Sequence, residues 1–245
     1  EGDTGSGKTV VAAAAMLHTI KEGWQTCLLA PTEILARQHE KTLSKVLAPF
    51  GITPQLMVGA TPSAEKKSIL TAIQNGSATC VIGTHALLQE SVAFTHLGLA
   101  IIDEQHRFGV RQRELIKTYG SPHVLNLTAT PIPRTLALVL YGDQDLSLLD
   151  EMPPGRQQIV TRVVPENKRA SAYKWISNEI EKGRQAFIIF PLIEESPVLQ
   201  LKSAVQEYER LQKEIFQKLR MGLLHGQMHP QDKAEVMNNF AAGTL

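Results

Sequence analysis

The sequence predicts an α/β protein built on a parallel sheet, with one nearly complete domain and part of a second. Three observations carry this. Short runs of consecutive apolar residues alternate with stretches of helical period. A glycine-rich loop opens the chain and leads directly into an Ala-rich helical stretch. Pro153, Pro154 and Gly155 then interrupt the alternation, and neither a helix nor a central strand can run through them.

The elements follow in order. Residues 26–30, 54–58, 79–83, 99–103 and 123–127 are short, apolar on consecutive positions and rich in Leu, Ile and Val. Strands buried on both faces of a parallel sheet read this way. Between them, residues 8–21 form a helix closed by Gly23, residues 32–47 an amphipathic helix stopped before Pro49, and residues 62–75 a helix ending at Asn75-Gly76. After the break the pattern resumes. Strands are expected at 158–164, 185–190 and 221–225, and helices at 168–182, 203–217 and 230–240. The domains are therefore placed at 1–151 and 158–245, with a linker at 152–157.

Composition narrows the class. With 245 residues the chain can bury roughly three-quarters of the surface that its unfolded form exposes, so the core needs no covalent staple. There are 25 Lys and Arg against 24 Asp and Glu, so any contact with nucleic acid must be a local patch. The two cysteines, Cys27 and Cys80, each sit inside an apolar run and read as core thiols of a reduced, intracellular protein. The eight histidines show no ligand spacing. No apolar run approaches the roughly 18 residues of a membrane span. A P-loop ordinarily follows a buried strand that aims it. Here it begins at residue 2, so the sequence reads as a piece of a longer protein.

The opening loop is Gly2, Asp3, Thr4, Gly5, Ser6, Gly7, Lys8, Thr9, which fits Gly-x-x-x-x-Gly-Lys-Thr. Its glycines let backbone N–H groups wrap a phosphate chain, and the helix that follows adds its positive end. Lys8 suits the β- and γ-phosphates of a nucleotide, and the Thr9 hydroxyl suits Mg²⁺. Asp103 and Glu104 stand at the end of the run LAII. There Asp103 suits the Mg²⁺ shell, through water, and Glu104 suits orienting and deprotonating a water that attacks the γ-phosphate.

Asp-Glu-Gln-His at 103–106, after such a loop, resembles the superfamily 2 helicases and translocases. APTEILARQH at 30–39, VIGTHALLQE at 81–90 and LTATPIPRT at 127–135 resemble that family's motifs Ia, Ib and III, in order. IIDEQHRFGVRQR at 101–113, DEMPPGRQ at 150–157 and PLIEES at 191–196 bring the resemblance to the RecG family of branched-DNA helicases. It implies two RecA-like domains, the second truncated, with ATP, Mg²⁺ and branched DNA as ligands. It also implies a monomer in the bacterial cytosol or nucleoid. Gln105 and His106 would couple the nucleotide site to motif III, and Thr128 and Thr130 would lie between that site and the DNA. Pro31, Thr32, Glu33, Gly83 and Thr84 would line the DNA track.

The resemblance further implies an N-terminal wedge domain, and an arginine-bearing segment beyond Leu245 that completes the ATP site. Arg107, Arg111, Arg113 and Arg134 suit either DNA backbone or a solvated helix face, and His225-Gly226-Gln227-Met228 resembles a family segment or an ordinary turn. The transcription-repair coupling factors share RFGV and TATPIPRT, but carry a second acid where Gln105 stands. A P-loop enzyme acting on a small molecule would need an acceptor site and a lid, for which the sequence has no signature. A nucleotide-binding scaffold without turnover is a third alternative, against which the intact Lys8, Asp103 and Glu104 argue.

Overall fold

A computed structural model describes residues 1–89, 91–104, 119–129, 145–151, 159–190 and 197–245. Two compact units divide the chain, Glu1–Gln157 and Gln158–Leu245.

The first unit is built on five parallel strands: β1 (Gln25–Leu29), β2 (Gln55–Met57), β3 (Cys80–Gly83), β4 (Leu97–Asp103) and β5 (His123–Leu127). Their order is β2-β3-β1-β4-β5. Every residue of β1 and β3 is buried. Parallel strands need crossover connections, and these helices cover both faces. The helices α1 (Lys8–Lys21) and α2 (Glu33–Leu47) lie on one face. There Ala12, Ala13 and Met16, with Ala36, Leu43 and Leu47, enclose Leu28, Cys80, Ile82 and Ile101. The helix α3 (Ser63–Gln74) covers the other face, with Ile69 and Ile73 against Cys27, Leu29, Val81 and Ile102.

The sequence-derived elements of this unit recur within about two residues. Gly23 closes α1 as expected, in the left-handed region at φ 85°. The two thiols lie on adjacent strands but on opposite faces, because Cys27 is opposite Val81 and Cys80 is opposite Thr26. Side chains on opposite faces cannot join in a disulfide. Burial pushes both thiols from 9.0 up to about 12, helped at Cys27 by its neighbour Cys80 and opposed at Cys80 by a hydrogen bond from Thr26.

Gln25 is a polar residue at 2% exposure, and its side-chain amide is fully engaged. Nε2 donates to the carbonyls of Ile73 (3.0 Å) and Ala78 (2.9 Å), and Oε1 accepts from the amides of Thr95 (3.0 Å) and His96 (3.1 Å). One side chain thus joins β1 to the end of α3 and to the approach to β4.

The second unit departs from expectation. Its helices are α4 (Arg169–Glu181), α5 (Pro197–Arg210), which runs on as a π turn at Leu211–Ile215, and α6 (Pro230–Ala241). The helix expected at 203–217 therefore begins six residues earlier. The strands expected at 158–164, 185–190 and 221–225 are not formed among the described residues. A helix bonds within itself, whereas a strand exists only by pairing with another. No ladder links these segments, and Val163 is 96% exposed. Phe187 stacks on Phe240 at 4.3 Å between ring centres, beside an apolar cavity of about 470 Å³.

Two outcomes are expected. Gln25→Leu removes one partner from each of four backbone groups, of which the Ile73 carbonyl keeps the Gly76 N–H at 3.2 Å, and should lower unfolding stability by roughly 3–5 kcal/mol in urea titration, at an unchanged slope. Both thiols should resist a thiol reagent until the protein unfolds. Their raised values add nothing to the pH dependence below about pH 9, where folded and unfolded thiols are both protonated. They make stability fall between about pH 9 and pH 12, where only the unfolded chain loses the protons.

Candidate functional site

The sheet has apolar faces, so its chemistry gathers at the C-terminal ends of the strands. The opening loop is tied there by its own backbone. The Gly2 N–H donates to the Thr128 carbonyl at 3.2 Å, just beyond β5. Gly2 also bridges Leu149, whose N–H donates to the Glu1 carbonyl at 2.7 Å. A Cβ on Gly2 would lie 2.5 Å from Ser6 Oγ and 2.9 Å from Leu149 Cβ, so no larger residue fits. Gly5 and Gly7 turn the loop in the left-handed region, at φ 83° and 96°.

The loop closes with the Ser6 N–H on the Asp3 carbonyl (3.1 Å) and the Thr4 N–H on Asp3 Oδ1 (2.6 Å). Lys8 Nζ reaches back to the carbonyls of Gly2 (2.7 Å) and Asp3 (2.9 Å), which puts its charge within the curve of the loop. α1 starts at Lys8 behind Gly7, which has no side chain to cap it, and its first turn holds no acid. The positive end of α1 is therefore not neutralised locally. Ser6 Oγ is buried without a hydrogen-bond partner among the described residues. An orphaned hydroxyl in a glycine-lined loop that holds the Lys8 ammonium and the N-terminal end of α1 fits a polyphosphate.

Asp103 ends β4 and Glu104 follows it. Glu104 is in the left-handed region at φ 52°, which costs a side-chain-bearing residue about 1–2 kcal/mol. Its N–H donates to the Leu127 carbonyl at 2.8 Å. Its carboxylate accepts from Thr128 Oγ1 and from the Ala129 N–H, each at 3.4 Å. Asp103 has a different partner. His39 Nε2, on α2, lies 2.7 Å from Asp103 Oδ2, and the two side chains are each 12% exposed. Among the described residues no three His, Cys, Asp or Glu side chains converge as a metal cluster. The Thr9 hydroxyl and the Asp103 carboxylate are hard oxygen donors, which suits Mg²⁺ held by one carboxylate together with phosphates.

Of the five residues read as a DNA track, Pro31, Thr32 and Glu33 follow β1, Gly83 ends β3 and Thr84 follows it, all at the same sheet edge. Thr32 Oγ1 caps α2 by accepting the Leu35 N–H at 3.3 Å, with Pro31 just before it. The Glu33 carboxylate is paired with Arg37 at 2.8 Å. Gly83 has a packing reason of its own, since a Cβ there would lie 2.2 Å from the Met57 carbonyl. Thr84 starts the 3-10 turn His85–Leu88, where its carbonyl accepts the Leu87 N–H at 3.0 Å. Gln105, His106, Thr130, Arg107, Arg111, Arg113 and Arg134 lie outside the described residues, as does the 191–196 segment. In the second unit the Met228 N–H donates to the His225 carbonyl at 3.3 Å, forming a turn.

His39 carried no assignment in the sequence reading. The available signal was its spacing on α2, three residues after Ala36 and four before Leu43, which puts a polar residue on the buried stripe.

Fold and edge together define a P-loop protein in which the phosphate loop, Glu104 and the residues just beyond β5 are bonded to one another. The family model for DEAD/DEAH box helicases matches residues 1–139, more than half of the chain, and the chain belongs to that family. Over 99% of its length it is 48% identical to the ATP-dependent DNA helicase RecG of Thermotoga maritima, and over 98% it is 46% identical to that of Aquifex aeolicus. It spans 31% of each of these relatives. The structure of RecG bound to a three-way DNA junction superposes with a TM-score of 0.76 at 44% identity, over 99% of this chain and 31% of that one.

Thr32→Ala should cost about 1 kcal/mol of stability through loss of the α2 cap, and Thr32→Ser should restore most of it, read by thermal unfolding.

Proposed function

We propose that this chain is part of the motor of a RecG-type helicase, an ATP-driven DNA translocase that remodels branched DNA in the bacterial cytosol. Its RecA-like domains are residues 1–151 and 158–245, joined by 152–157. The observation that carries the reading is the bonded path from the phosphate loop to motif III. Gly2 donates to Thr128, and Thr128 donates to Glu104. A P-loop enzyme acting on a small molecule does not need this path, whereas a motor must pass the state of its nucleotide to the DNA. The similarity to RecG along the whole chain supports the same reading.

In this proposal the loop from Gly2 to Thr9, with Asp3, Thr4, Gly5, Ser6 and Gly7, cradles the phosphates. Lys8 neutralises charge on the β- and γ-phosphates. Thr9 and Asp103 would hold Mg²⁺, which would supply Lewis-acid stabilisation of the phosphate oxygens. Glu104 takes the proton from the attacking water as its oxygen bonds to the γ-phosphorus, and the bond to the β-phosphate oxygen breaks. The contacts of Thr128 and Ala129 with Glu104 orient that base. Gln105, His106 and Thr130 couple this site to the DNA. Pro31, Thr32, Glu33, Gly83 and Thr84 form the track mainly through backbone, because the Thr32 and Glu33 side chains already have partners.

The test is ATP hydrolysis by the full-length protein with linear, forked and four-way DNA. Stimulation should be greatest with branched DNA, and equal rates on all three would overturn the branched-DNA reading. Glu104→Gln should retain ATP binding and slow DNA-stimulated hydrolysis by about 10²-fold or more. Hydrolysis at the wild-type rate would remove Glu104 from the role of base.

A further inference from the structure

The pairing of His39 with Asp103 assigns a role to a residue that the motif readings leave without one. We propose that His39 is a positioning residue for the metal-side carboxylate. Its imidazole holds Asp103 Oδ2 so that Oδ1 faces the Mg²⁺ shell, and it thereby joins α2 to the metal site. This rests on the reading of Asp103 given above.

The geometry carries the argument. A carboxylate only accepts, so the imidazole Nε2–H is the donor. At 2.7 Å, with both side chains at 12% exposure, the bond is short and mostly shielded from water. Hydrogen bonds to a carboxylate in such surroundings are stronger than those in bulk solvent. The partners are 64 residues apart, so the pair links two elements rather than stiffening one. On α2, His39 shares the buried stripe with Ala36, Leu43 and Leu47. Packing alone would favour an apolar residue there, and the polar ring tip needs a partner.

Asp103 has no other side-chain hydrogen bond among the described residues, so His39 is what fixes its rotation. Outer partners of this kind tune metal sites by orienting the ligand oxygen. Thr32 caps the same helix about two turns before His39, close to the residues proposed to follow DNA. Movement of α2 along its axis is therefore movement of the imidazole against the carboxylate.

The test uses the full chain with Mn²⁺ in place of Mg²⁺ and a non-hydrolysable ATP analogue, reading free Mn²⁺ by electron paramagnetic resonance. Wild type is compared with His39→Ala, His39→Gln, Asp103→Asn and the double variant His39→Ala/Asp103→Asn. His39→Ala should weaken Mn²⁺ binding about 10-fold or more while leaving metal-free nucleotide binding unchanged. His39→Gln should recover most of the loss, because its amide Nε2–H reaches about as far as the imidazole. In the Asp103→Asn background, His39→Ala should add nothing, since both act through one contact.

Unchanged Mn²⁺ affinity in His39→Ala would overturn the inference, even with a lowered melting temperature. So would a glutamine as weak as the alanine, or a loss that adds to that of Asp103→Asn. If His39→Ala does not fold, His39→Leu fills the space without a donor and takes its place. Should Asp103→Asn itself bind Mn²⁺ normally, the site reading falls together with this inference. If only the His39 variants behave as wild type, the site stands and His39 has no part in it.

Discussion

Burial of the central strands on both faces is the constraint from which the rest of the first unit follows. β1 and β3 have no exposed residue, so neither face of the sheet can host polar chemistry. Parallel strands share a direction, and the only place where several of them can offer polar groups together is past their C-terminal ends. The phosphate loop, the two acids, Thr128 and the segments after β1 and β3 all gather along that edge. Helices on each face are the cost-free consequence of the crossovers that a parallel sheet requires, and they seal the core while leaving the edge open.

Backbone conformation then sorts the side chains within the edge. Two consecutive acids on a regular strand would point to opposite faces of the sheet. The left-handed turn at Glu104 breaks that alternation immediately after Asp103. Asp103 meets α2 through His39, while Glu104 meets residues 128 and 129 beyond β5. Adjacent carboxylates thus belong to different networks, as the proposed division between metal holding and proton transfer requires. The strain at Glu104 is borne by the ladder-like bond from its N–H to Leu127.

The first unit was largely legible in the sequence because its signals are local. Unbroken apolar runs mark doubly buried strands, and Gly23, Thr32 and Pro49 punctuate the helices. The same local signals stood at 185–190 and 221–225, yet no strand forms there, because pairing is a property of two segments and periodicity describes one. Long-range contacts were likewise invisible. Nothing adjacent to His39 in the sequence points to Asp103, and nothing adjacent to Gln25 announces four backbone partners. Gly83 shows the converse. Its place in a motif invites a functional role, but the Met57 carbonyl already requires a glycine there.

The amide of Gln25 has a consequence for how the unit opens and closes. Its four bonds reach residues 73, 78, 95 and 96, which lie in separate stretches of chain. They are satisfied together only when β1, β3 and β4 stand in one alignment. A slip of a single residue would strand the amide in an apolar interior with its partners out of reach. The glutamine therefore acts as a checkpoint on alignment, rejecting sheets that the apolar residues alone would tolerate. It also merges the end of α3, the turn before β3 and the approach to β4 into one cooperative unit. Transient opening of any of them exposes the others, so solvent exchange at these amides reports a shared event rather than separate local fraying.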